Sequence, residues 1–167
     1  VFPDVHLSVM VREKGSQGSQ ELFENSCKII KEALGSAIYG QDKDTQESVI
    51  GTLLSKLGMS LSVAESCTGG LIASRITRIP GSSAYFEGGA VTYSNQLKTR
   101  FLGVPADLIN TCGAVSREVA EAMVSGIKGI SGTDAALAVT GVAGPGGGSE
   151  DKPVGTVFIA LNCREYR

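Results

Sequence analysis

Tryptophan is absent, histidine occurs once, as His6, and aromatic residues make up only 5% of the 167-residue chain. Any ring-stacking pocket must therefore use Tyr or Phe, and a histidine-based catalytic triad would depend entirely on His6. The cysteines Cys27, Cys67, Cys112 and Cys163 lie far apart and form no Cys-x-x-Cys, so no metal-ligand spacing is present and no metal is expected. The same scatter argues against a disulfide framework and for a reducing, cytoplasmic setting. No apolar run approaches the ~20 residues of a membrane span, and no signal-peptide pattern is found. The net charge is −2 with Lys and Arg dispersed, which excludes a basic surface for nucleic acid. The chain opens on Val1, not Met, and the expectation is that further sequence precedes it.

A hydrophobic content of 42% is enough for a core, and the 22 glycines cluster in loops. The length suits one ordinary domain with a short extra piece. Residues 4–12 (DVHLSVMVR) alternate apolar and polar and read as a strand. Residues 22–34 carry helical spacing through Leu22, Cys27, Ile30 and Leu34. One strand and one helix bury no core alone, so 1–40 reads as the remnant of a preceding domain and 41–47 as a linker. From 48 onward strands alternate with helices. Helices are expected at 48–57, 70–79, 96–102, 105–109 and 116–128, and strands at 61–64, 89–93, 135–140 and 155–161. Ser116 is an N-cap candidate. This order predicts an α/β domain, a three-layer α/β/α with a largely parallel sheet.

Ligands of open α/β sheets bind beyond the carboxyl ends of the strands. Three loops lie there: 65–70, 93–98 and 140–148. The first, within LSVAESCTGGLI, gathers Glu65, Ser66, Cys67, Thr68, Gly69 and Gly70 where a strand becomes a helix. Ser and Thr cap helices everywhere, which accounts for one hydroxyl there; an anion held at the helix start would be a further role. The third, TGVAGPGGGS, lacks the Gly-Lys-Ser/Thr ending of a P-loop and does not match Gly-x-Gly-x-x-Gly. It reads as a flexible lid or as backbone lying close to a ligand. With no triad or metal set, the acyl-transfer chemistry left is a serine activated by a desolvated neutral lysine. Lys98, just after TYSN, is the best placed lysine, against the ordinary alternative of a solvated surface lysine.

VAESCTGG at 63–70, PGSSAYFEGGAVTYSNQLK at 80–98, GAVSREVA at 113–120 and AVTGVAGPGGGSEDKPVGTVFIA at 138–160 resemble the carboxy-terminal domain of the CinA family. The stand-alone version of that domain is nicotinamide mononucleotide amidase. The segment VHLSVMVREKG and the helix after it resemble the end of the middle domain of long CinA proteins. The resemblance implies hydrolysis of the nicotinamide mononucleotide carboxamide to nicotinate mononucleotide and ammonia, without cofactor or metal, by a homodimer. It places the base on Lys98 and the nucleophile first on Ser83. Tyr93 would position the ring or the lysine, and Thr140 and Gly141 would bind the oxyanion. Substrate contacts would come from Glu65, Thr68, Gly69, Gly70, Ser94, Thr140, Gly141 and Gly144. It also implies a further Gly-Asp-Arg-type segment and helix after the final strand, so 48–167 is expected to lack the last piece of the domain.

The strand expected at 89–93 separates Ser83 from Lys98 by about 17 Å of extended chain. Ser66 and Ser94 therefore stand as alternative nucleophiles, Ser94 through i, i+4 spacing to Lys98. The alternative function is a catalytically silent nucleotide-binding or regulatory module of a CinA-like protein.

Overall fold

The computed structural model describes residues 5–12 and 17–163. The chain divides into two compact units, Val1–Asp44 and Thr45–Arg167. In the first, residues 5–12 carry no strand, contrary to the alternation of DVHLSVMVR. A β-strand needs a ladder partner, and no described segment pairs with it; Val5, Leu7 and Met10 are exposed. Helix α1 spans Gln17–Leu34, followed by a 3-10 turn at Gly35–Ala37. The remainder of the strand expectation, residue 4, lies outside the described residues.

The second unit contains α2 (Gln46–Leu57), β1 (Leu61–Glu65), α3 (Leu71–Thr77), β2 (Phe86–Val91), α4 (Asn95–Leu102), α5 (Ala106–Cys112), α6 (Arg117–Ser131), β3 (Ala135–Gly141) and β4 (Val157–Cys163). Helix α2 starts at Gln46 rather than 48 because Thr45 and Ser48 form a reciprocal capping box. Ser116 caps α6 as its position in the sequence suggests, accepting from Val119 N–H. Helix α3 is shorter than expected: Gly69 (φ 60) and Gly70 (φ 100) are left-handed, so the helix opens only at Leu71.

The sheet order is β2-β1-β3-β4, with β1 parallel to β2 and β3, and β4 antiparallel to β3. Strand β2 begins at Phe86, earlier than expected, because Phe86 pairs with Leu61 across a register shift before Gly88 meets Ser62. Helices cover both faces. Leu61, Val63 and Ala135 pack with Leu54 of α2 and Ile76 of α3, and with Tyr85. On the other face Ala64, Ala136, Ala138 and Ala160 meet Val119, Ala120, Met123, Val124 and Ile127 of α6, with Leu102 and Ile109 of α4 and α5. The small strand residues on that face let α6 lie close to the sheet and bury its apolar stripe.

Helix α6 also runs against α4. A Cβ added at Gly126 would come 2.0 Å from the Leu102 carbonyl oxygen, whereas one at Gly129 meets nothing within 4 Å. Gly126→Ala should therefore destabilise the domain by about 1–3 kcal/mol through overpacking. Gly129→Ala should stabilise it by about 0.5–1 kcal/mol through helix propensity. Urea unfolding of the two variants checks the contrast; equal effects would place the α4–α6 approach in error.

Candidate functional site

Side chains alternate along β1, and that alternation builds the site. Glu65, the last residue of the strand, points toward α3. Ser66, the next residue, points to the opposite face, toward α4.

Glu65 is 1% exposed. Its Oε2 accepts from Gly70 N–H and Ile72 N–H, each at 3.0 Å, and its Oε1 from Ala73 N–H at 2.8 Å. A carboxylate with three N–H donors at the start of a helix satisfies the free N–H groups and the partial positive charge there. The anion expected at this helix start is thus the protein's own Glu65. Gly70 contributes its N–H to that carboxylate. Gly69 donates to Ser66 O, and its left-handed φ closes the turn.

Lys98 sits in α4 and is 1% exposed. Long helical side chains lean toward the helix N-terminus, so its amine returns to the end of β2. Nζ lies 2.9 Å from Thr92 O, 3.1 Å from Tyr93 O and 2.9 Å from Ser66 Oγ. No carboxylate faces the amine among the described residues, and burial holds its pKa below the ordinary lysine range. A neutral amine has two N–H donors and one lone pair. As placed, Nζ donates to both carbonyls and to Ser66 Oγ; on loss of one proton the carbonyls can keep the two donors while the lone pair faces the Ser66 hydroxyl.

The other sequence candidates fall into distinct places. Ser83 lies in the 3-10 turn Ser82–Ala84 before β2, whereas Lys98 follows the end of that strand. Six parallel residues keep them about 17 Å apart along the strand, so the structure does not bring Ser83 to Lys98 within one chain. Ser94 is the N-cap of α4, its Oγ accepting from Leu97 N–H, and its i, i+4 relation to Lys98 is a backbone bond only. Tyr93 touches the lysine through its carbonyl, while its side chain is 70% exposed. Thr140 is buried, and its hydroxyl donates to Ala114 O. Thr140 and Gly141 belong to the β3–β4 ladder, opposite Phe158 and Val157. A Cβ on Gly141 would come 3.0 Å from Cys67 Sγ, so that glycine lets β3 pass the turn after Ser66. Gly144 turns the 142–156 loop with φ 83, packed against Val154. Lys152 ties the same loop to α5 by donating to Cys112 O at 2.8 Å.

Thr92 was missed by the sequence reading: its N–H donates to Glu65 O, its carbonyl accepts from Lys98, and it is 2% exposed. No motif signals it, because its part is played by the main chain. Two of the buried hydroxyls without a partner, Thr68 Oγ1 and Thr92 Oγ1, belong to this neighbourhood. Orphaned polar atoms gathered at one place are a mark of a site rather than of a core. Among the described residues no cluster of His, Cys, Asp and Glu could hold a metal ion, and no helix is long and apolar enough to cross a membrane.

Fold and site together define a three-layer α/β domain with a buried serine–lysine pair at the carboxyl ends of its parallel strands. The family model of the CinA C-terminal domain matches residues 43–166. A CinA-like protein of Desulfotalea psychrophila is 57% identical over 162 residues, which are 97% of this chain and 39% of that protein. A putative competence-damage inducible protein of Moorella thermoacetica is 50% identical, over 96% of this chain and 39% of its own length. Among solved structures, the competence/damage inducible protein CihA of Agrobacterium tumefaciens superposes with a TM-score of 0.69 at 50% identity, covering 71% of this chain and 72% of that one. A CinA superfamily protein of Escherichia coli superposes with a TM-score of 0.69 at 31% identity, covering 78% of this chain and 79% of its own. The chain belongs to the CinA family and carries its C-terminal domain. It spans about two-fifths of the length of the curated relatives it matches.

The depressed pKa of Lys98 has a measurable sign. The unfolded chain holds this proton more tightly, so the contribution of this group to stability rises with pH between the folded value and the ordinary lysine value of about 10.4. In a pH titration of 13Cε-labelled lysines, Lys98 should lose its proton at lower pH than the surface lysines. Titration together with the surface lysines would mean that the amine is solvated.

Proposed function

We propose that the domain hydrolyses a carboxamide, that of nicotinamide mononucleotide, with Ser66 as nucleophile and Lys98 as base. The observation that carries this reading is the 2.9 Å contact between Ser66 Oγ and a buried amine that has no carboxylate partner among the described residues. The substrate comes from the family resemblance, and the chemistry comes from the pair. Neutral Lys98 takes the Ser66 proton as Oγ attacks the carboxamide carbon. The tetrahedral intermediate collapses as Lys98 returns a proton to the amide nitrogen, and ammonia leaves. Water, deprotonated by Lys98, then cleaves the Ser66 ester and releases nicotinate mononucleotide.

The exposed ring of Tyr93 flanks the pyridine in this reading. Thr68, Gly69 and the loop through Gly144 line the rest of the substrate. With Glu65 on the α3 start, the phosphate is held elsewhere than on those N–H groups. A homodimer belongs to the same reading. It is supported by Leu97 and Phe101, exposed at 46% and 52% one turn apart on α4.

Ammonia release from nicotinamide mononucleotide by the full-length protein tests the reading. Ser66→Ala and Lys98→Ala should each lower kcat by about 10³-fold or more, since nucleophile and base act as a unit. Ser83→Ala should leave kcat within about threefold. Activity should rise with pH as Lys98 loses its proton, with a midpoint below the ordinary lysine value of about 10.4. No turnover by the intact protein would sink the amidase reading, and full activity of Ser66→Ala would sink the nucleophile.

A further inference from the structure

The main-chain N–H groups of the turn after Ser66 are almost all committed. Ser66 donates to Val139 O at 3.0 Å, Gly69 to Ser66 O at 3.1 Å and Leu71 to Thr68 O at 3.1 Å. Gly70, Ile72 and Ala73 donate to the Glu65 carboxylate. Two N–H groups remain. Among the described residues, those of Cys67 and Thr68 meet no oxygen acceptor and have only the Cys67 sulfur before them. They are consecutive, they follow the serine directly, and both residues are only half-buried. Buried or half-buried N–H groups without an oxygen acceptor are uncommon in folded proteins.

The two groups also act on one spot. Burial raises the Cys67 thiol, and what works against that burial is its own N–H, the charge of Lys98 and the N–H of Thr68. That spot is the Cys67 thiol, on the residue next to Ser66; when a serine adds to a carbonyl, the negative charge that develops on the carbonyl oxygen calls for such donors. The alternative donors, Thr140 and Gly141, lie in the ladder that joins β3 to β4.

We propose that the Cys67 and Thr68 N–H groups form the oxyanion hole of the Ser66–Lys98 site, and that Glu65 is the positioning residue that keeps them aimed. The proposal rests on the amide-hydrolysis reading above. As the Ser66 Oγ–carbon bond forms, the carbonyl π pair moves onto oxygen, and that oxygen takes the two N–H bonds. When the carbon–nitrogen bond breaks, the pair returns and the oxygen leaves the hole. Glu65 does its part on the opposite side of the strand. By taking the N–H groups of Gly70, Ile72 and Ala73 it holds the turn closed, so the free donors are those next to the nucleophile.

The test replaces the N–H of residue 68, and separately of residue 67, by an ester oxygen in the full-length protein, leaving each side chain unchanged. Each ester should lower kcat for nicotinamide mononucleotide by about 10²–10³-fold, with KM changed less than about twofold. Glu65→Gln should lower kcat to a smaller extent at unchanged KM, because the amide supplies one accepting oxygen in place of two. Unchanged kcat in both ester variants, beside an inactive Ser66→Ala, would overturn the oxyanion assignment and leave the amidase reading standing. Active Ser66→Ala would overturn Ser66 as the nucleophile, and with it the hole built around it, while no turnover by the intact protein would overturn the amidase reading itself. Should an ester variant fail to fold, amide proton shifts of the unaltered protein with pyridine-3-boronic acid decide the matter. The Cys67 and Thr68 amide protons should move downfield while those of Gly69 and Leu71 stay. Failure of both to move, including through lack of boronate binding, would count against the hole.

Discussion

A lysine amine that is buried without a carboxylate partner constrains the rest of this site. Water would solvate the charge of Lys98, and the interior does not. The structure meets that cost with two backbone carbonyls at the end of β2 and one serine hydroxyl at the end of β1. Three requirements follow. Strand β2 must stop at Val91 so that Thr92 and Tyr93 can turn their carbonyls inward. Helix α4 must begin at once, so that a lysine in its first turns reaches back. Strand β1 must end one residue before Ser66, so that the serine faces α4. Each is met, the second by the Ser94 cap.

The acidic residue that precedes Ser66 is kept away from that amine. Glu65 and Ser66 are neighbours on an extended chain, so they point to opposite faces of the sheet. Glu65 spends its charge on the N–H groups of α3. Had the alternation run the other way, the carboxylate would have met Lys98 and stabilised the ammonium, which cannot act as a base. A one-residue change of register at the end of β1 thus separates a serine–lysine contact from a buried ion pair. The same carboxylate leaves the N–H groups of Cys67 and Thr68 free.

Much of the fold was legible in the residues. The apolar run at 61–64 and the Ser116 cap are local signals, and their elements form close to where expected. Errors arose where partners decide. DVHLSVMVR alternates like a strand, yet alternation supplies a face and no ladder. Strand β2 was placed three residues late because its start depends on pairing Phe86 with Leu61, and FEGGAV carries two glycines that weaken the local signal. Within the site, Lys98 was legible by elimination, since one histidine and scattered cysteines leave little else. Thr92 was not legible, because a carbonyl oxygen belongs to every residue and its usefulness depends on where the chain turns.

The sequence alone determined the chemical inventory and the order of the elements: which nucleophiles and bases exist, where strands give way to helices, and which family pattern they follow. Those are properties of composition and of short periods along the chain. Tertiary structure decided which serine meets the lysine. Ser66 and Lys98 are 32 positions apart, while Ser83 and Ser94 are nearer in the chain. Sequence separation says little once parallel strands bring the ends of β1 and β2 side by side and leave the start of β2 at the opposite end of the strands.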